Sequence, residues 1–76
     1  MAAPESKQLV KLIRQVISEE RELKRISAKD LAQKVGINRY TIYRFERGET
    51  EMRLSEINDL LCELGYELVL VKRLKH

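Results

Sequence analysis

The stretch LAQKVGINRYTIYRFERGE, residues 31–49, constrains the fold most, because two helix-spaced apolar sets flank one glycine with almost no chain between them. Leu31, Ala32 and Val35 precede Gly36; Ile42 and Phe45 follow it at i and i+3. Ser27 with Asp30 three residues later has the form of a capping box, so a helix is predicted over 28–35, and Gly36 can take the left-handed conformation that ends it. Asn38 is a suitable N-cap for a second helix over 39–47, closed by Gly48. Two short helices joined this tightly form one unit, and Ala32 is small enough to let them approach closely. The apolar positions, with Ile37 in the turn, hold the pair together, which leaves Arg39, Tyr40, Tyr43, Arg44 and Arg47 outside.

Around this unit the pattern is also helical. Leu9, Leu12, Ile13, Val16, Ile17 and Leu23 predict a long amphipathic helix over 5–22, with Glu20 where an apolar residue is expected. Leu54, Ile57, Leu60, Leu61 and Leu64 predict another over 54–64, after a polar loop at 49–53 and before Gly65. The run YELVLVKRL has β-branched Val69 and Val71, and it predicts a strand at 67–71 with a fifth helix as the alternative. The expected fold class is all-α: a compact four-helix domain over 1–76, with a fifth element at 67–71 that pairs across a homodimer through Leu68, Val69, Leu70 and Val71.

Bulk properties limit the function. A chain of 76 residues builds one small core, and oligomerisation commonly makes up the stability such a core lacks. The net charge of +3 is unevenly distributed: +3 over residues 1–36, +2 over 37–48, −5 over 49–67 and +3 over 68–76. Cys62 is the only cysteine and His76 the only histidine, so neither an intrachain disulfide nor a structural zinc set is available. No Ser/Cys–His pair suggests catalysis, and no cofactor is expected. MAAPESK lacks an apolar signal core and no apolar run is long enough for a membrane span, so the expected location is the cytoplasm, with the nucleoid, and no membrane contact. Lys72, Arg73 and Lys75 read as a solubilising tail, and Cys62 as a small filler of the last helix.

Two helices joined at a tight glycine turn can place the second in the major groove of double-stranded DNA while the first crosses the backbone. Arginine can pair bidentately with guanine, and tyrosine can meet a thymine methyl or a phosphate oxygen. Without the turn and its buried pattern, the same side chains would read as an ordinary solvated helix face.

From Ser27 to Gly65 the sequence resembles the phage repressor and Cro-like helix-turn-helix family, HipB-type antitoxin autorepressors being the nearest-looking branch. The family's turn glycine matches Gly36, its buried aliphatic Ile42, its buried bulky residue Phe45, and its glutamate-x-glycine close Glu46 to Gly48. The resemblance implies a dimeric repressor that reads an inverted repeat, with base contacts from Arg39, Tyr40, Tyr43 and Arg44 and phosphate contacts from Asn38, Arg47 and Arg53. It also implies an arginine in the first helix paired with Glu46, either Arg14 or Arg21, which are two helical turns apart on one face. The chain departs from the pattern at Ala28, where members often carry a phosphate-binding glutamine, and in ISEEREL, an extension of the first helix or of its loop. The other reading is a protein-interaction module, whose acidic 49–67 segment docks a toxin or another basic partner.

Overall fold

A computed structural model describes residues 3–72. Four helices follow one another: α1, Ala3–Leu23; α2, Ala28–Val35; α3, Arg39–Glu46; and α4, Leu54–Glu63. ISEEREL lies within α1. The helix over 39–47 stops one residue early with Arg47 as its C-cap, and that over 54–64 likewise ends with Leu64 as its C-cap.

All four helices end alike. In each, N–H groups beyond the last turn donate back to carbonyls within it: Arg25 and Ile26 to Glu22 and Arg21, Ile37 to Ala32, Glu49 to Arg44, and Tyr66 to Leu61. This closure needs one residue at positive φ. Gly36, at φ 78°, supplies it after α2, and the other two glycines occupy the same place after α3 and α4. After α1 it falls on Arg25 at φ 57°, a conformation costing about 1–2 kcal/mol for a residue with a Cβ. That turn carries Ile26 back against the core.

The core consists of Ile17, Ala28, Leu31, Ala32, Ile42, Phe45, Ile57, Leu60, Leu61 and Leu64. Ala28 is fully buried, so the position at which the resemblance implies a phosphate-binding glutamine here faces inward. The apolar stripe of α1 is used only in part. Ile17 is buried and Ile13 and Val16 pack at its margin, whereas Leu9, Leu12 and Leu23 are 56%, 54% and 76% exposed. Relative lengths explain this: α1 is about 31 Å long, and helices of eight to ten residues reach only about half of it. Leu54, placed inward by its spacing, is exposed at the start of α4, and Cys62 is exposed and fills nothing.

Residues 66–72 follow α4 without regular secondary structure, neither strand nor fifth helix. A strand needs a partner edge, and the described residues of one chain offer none. Leu68, Val69, Leu70 and Val71 are accordingly exposed. Tyr66 lies beside Glu20 of α1, its phenol pushed above the usual range chiefly by that nearby carboxylate. Arg73 and Lys75 lie outside the described residues.

Candidate nucleic-acid interface

The start of α3 is set by a single side chain. Asn38 has extended backbone, and its Oδ1 accepts from the Tyr40 N–H at 2.7 Å, satisfying one of the orphan donors of the first turn. From there each residue advances about 100° around the axis. Ile42 and Phe45 point into the core with no exposed surface. Tyr40 and Arg47 therefore project from the opposite side, with Arg44 on one flank of that face and Tyr43, then Arg39, on the other.

Asn38, Tyr40, Tyr43, Arg44 and Arg47 line one concave surface of about 530 Å³. Arg39 joins it only through Tyr40, and Arg53 stands elsewhere, as the N-cap of α4. There the backbone N–H of Arg53 donates to Glu56 Oε1 at 3.1 Å, leaving its guanidinium exposed. Residues 68–71 line none of this surface.

The three arginines on or beside this face are in different states, and Arg53 stands apart from them. Arg39 lies 5.1 Å over the Tyr40 ring and donates to its hydroxyl at 3.2 Å, a bond that raises the guanidinium pKa above its already high value. Arg44 has no ion-pair partner among the described residues. Arg47 is held by both oxygens of Glu49, at 2.9 and 3.1 Å; the pair raises the arginine pKa and lowers that of the glutamate. The Arg53 guanidinium, like that of Arg44, meets no carboxylate among the described residues. Tyr40 and Tyr43 sit with ring centroids 6.3 Å apart, tilted by 54°, and Tyr43 is half-buried.

The underside of α3 is fastened to α1 by a bidentate ion pair. Arg21 Nε and Nη2 donate to Glu46 Oε2 and Oε1 at 2.9 and 3.0 Å, while Nη1 donates to the Ile26 carbonyl at 3.3 Å. Glu46 raises the Arg21 pKa, and the guanidinium also lies 5.8 Å from the Tyr43 ring centroid, supporting that tyrosine from below. Arg21, not Arg14, is therefore the partner of Glu46. Arg14 instead caps the Phe45 ring at 4.8 Å and donates to the Thr50 carbonyl at 3.1 Å and to Glu51 at 3.2 Å, tying α1 to the loop after α3. Its Nε is buried without a partner.

Two residues of this arrangement, Glu51 and Glu49, are not among the site residues expected from the sequence. Glu51 is 37 residues from Arg14, and no local pattern connects them. Glu49 does carry a usable signal: opposite charges two residues apart across a glycine turn can fold onto one another.

Among the described residues no group of three or more His, Cys, Asp or Glu could hold a metal ion, and no helix is long and apolar enough to cross a membrane. No curated protein and no solved structure matches the chain. The family model described as helix-turn-helix, of the Cro/C1 type, matches residues 17–71, a span running from the buried end of α1 through all three shorter helices. A packed α2–α3 pair with an outward arginine and tyrosine face, within a sequence that meets this model over most of its length, makes the chain a member of the Cro/C1-type helix-turn-helix family and a DNA-binding transcription regulator.

Proposed function

We propose that the protein is a dimeric repressor, acting on its own promoter, that reads an inverted repeat through the major groove. α3 enters the groove. Arg39, Tyr40, Tyr43 and Arg44 meet base edges, while Asn38, Arg47 and Arg53 take phosphates and set the register. The carrying observation is the outward face of α3, where Tyr40, Tyr43, Arg44 and Arg47 share one concave surface at the end of a tight turn. Two copies are joined through residues 67–71, whose exposed apolar side chains and unpaired backbone suit an antiparallel partner of the same sequence. Such a dimer presents two copies of α3 to half-sites about 34 Å apart.

The docking of a basic protein on the acidic 49–67 segment has less support. Glu49, Glu51 and Glu63 are paired with Arg47, Arg14 and Lys34, and Glu56 accepts from the Arg53 N–H. Asp59 and Glu67 are then the acids of that segment that make no such contact among the described residues.

Selection of bound duplexes from a random pool tests the proposal. The expected result is an inverted repeat with half-site centres about one helical turn apart. Recovery of unrelated sequences, or of a single half-site bound by a monomer, would overturn it.

A further inference from the structure

We propose that the first turns of α1 form a second seat for the DNA backbone, with Lys7 and Lys11 as its cations, continuous with the recognition face through Arg47. The inference rests on the family's DNA binding and adds to it a contact outside the helix-turn-helix. It starts from an excess of helix. Among the described side chains of α1 the first that is fully buried is Ile17, and those before Val10 are exposed, so the core does not account for those turns.

Their position beside α3 is fixed by Arg14. Its guanidinium approaches within 3.7 Å of where a Cβ on Gly48 would lie, and it bonds the Thr50 carbonyl, holding this part of α1 against the close of α3. Three hollows then adjoin in series. The recognition face ends at Arg47. Arg47 and Gly48 also form one wall of a groove of about 460 Å³, whose other wall is Lys11, Arg14 and Ser18. Arg14 continues into a third hollow with Ser6 and Lys7.

Charge along this path favours an anion. The carboxylates that line it are mostly engaged: Glu46 by Arg21, Glu51 by Arg14, and Glu19 by the Gln15 amide at 2.9 Å, which leaves Glu19 its charge. Lys7 and Lys11 are exposed and form no ion pair among the described residues. Being four residues apart, they project from neighbouring positions on one side of α1, about 6 Å apart along its axis. A cationic edge of that length beside a major-groove helix suits consecutive phosphates of the flanking strand, each strand carrying one charge per about 3.4 Å of duplex axis.

The test is the salt dependence of binding to a labelled 30-bp mixed-sequence duplex, followed by fluorescence anisotropy between about 50 and 200 mM KCl, together with the same titration on a selected site. The variant Lys7→Gln/Lys11→Gln keeps good helix formers at exposed positions, and circular dichroism verifies its fold. The control, Lys24→Gln/Lys34→Gln, removes the same charge from lysines paired with Glu20 and Glu63, which line no hollow on this path. Loss of two phosphate contacts per protomer should flatten the slope of log K against log salt by about 1.8 for each protomer bound and weaken both duplexes alike, by about tenfold or more at 0.1 M salt. The control should change the slope by much less. A wild-type slope in the Lys7/Lys11 variant, or an equal loss in the control, would overturn the seat while leaving the recognition face intact. Wild-type protein that binds neither duplex would instead refute the DNA-binding reading on which the seat rests.

Discussion

Replacing Arg21 by alanine should destabilise the domain by about 3 kcal/mol, through the carboxylate it leaves behind more than through its own lost contacts. The Glu46 side chain is 9% exposed and takes both its bonds from Arg21, so the substitution strands a nearly buried charge. Removing one partner of a buried pair costs about 3–5 kcal/mol, and the low end applies here because the pair lies at the margin of the core with Arg21 14% exposed. Against the roughly 4–11 kcal/mol expected for a domain of this size, that is a large fraction of the total. Arg21→Lys keeps the charge but not the two-pronged fit, and should cost about 1–2 kcal/mol. The informative variant is Arg21→Met/Glu46→Leu, which removes both charges and keeps the volume apolar; its stability should return to within about 1 kcal/mol of wild type. Urea unfolding followed at 222 nm measures each variant, with an unchanged m-value as the condition for comparing midpoints. The coupling between the two sites should exceed about 2 kcal/mol. An Arg21→Ala midpoint equal to wild type, or single-variant losses that simply add in the double variant, would refute the assignment of this pair as the fastening between α1 and α3.

Arg39→Ala and Arg44→Ala should each cost about 1–3 kcal/mol per half-site on a selected duplex and relax base preference locally, whereas Arg47→Ala should weaken all sequences alike and lower the salt slope by about one for each protomer bound, as anisotropy titrations will read. Because Glu49 takes the Nε and Nη2 donors of Arg47 and offsets its charge, Glu49→Gln should tighten binding to every duplex; unchanged affinity would show that Arg47 meets no phosphate. Phe45→Ala should unfold the domain, with a core-truncation loss of about 3–5 kcal/mol, while Tyr40→Ala, at a position 53% exposed, should keep its helical circular dichroism; the reverse order would mean that the faces of α3 are misassigned. Deleting residues 67–76 should give a monomer by sedimentation and a loss of specific affinity larger than charge reversal at Lys72, Arg73 and Lys75 causes; a truncated chain that stays dimeric would remove the strand pairing. Glu20 titrates below the ordinary glutamate range because of Lys24 first and Tyr66 second, so its contribution to stability is complete above the unfolded pKa and is lost as pH falls through the folded one. An NMR titration of its carboxyl carbon should therefore show the midpoint rising more in Lys24→Ala than in Tyr66→Phe.

What the chain itself specifies is what closes within a few residues. Ser27 accepts from the Asp30 N–H and Asn38 from the Tyr40 N–H, and Gly36 and Gly65 turn the backbone after their helices; each of these bonds spans six residues or fewer. Residue type alone decides such contacts, which is why the α2–α3 unit and the outward set of Arg39, Tyr40, Tyr43 and Arg44 are legible in the sequence. The end of α1 is not, since Arg25 takes a backbone conformation that residue type reserves for glycine, under the pull of Ile26 toward the core. Periodicity likewise marks Leu9, Leu12, Leu23 and Leu54 as inward, but a stripe states only which side of a helix is apolar. Whether that side is covered depends on how far the neighbouring helices reach, and those of eight to ten residues cannot cover 21. The choice between Arg14 and Arg21 belongs to the same level. Two arginines on one face seven residues apart are equivalent locally, and only the height at which α3 crosses α1 puts Glu46 beside one and Phe45 beneath the other.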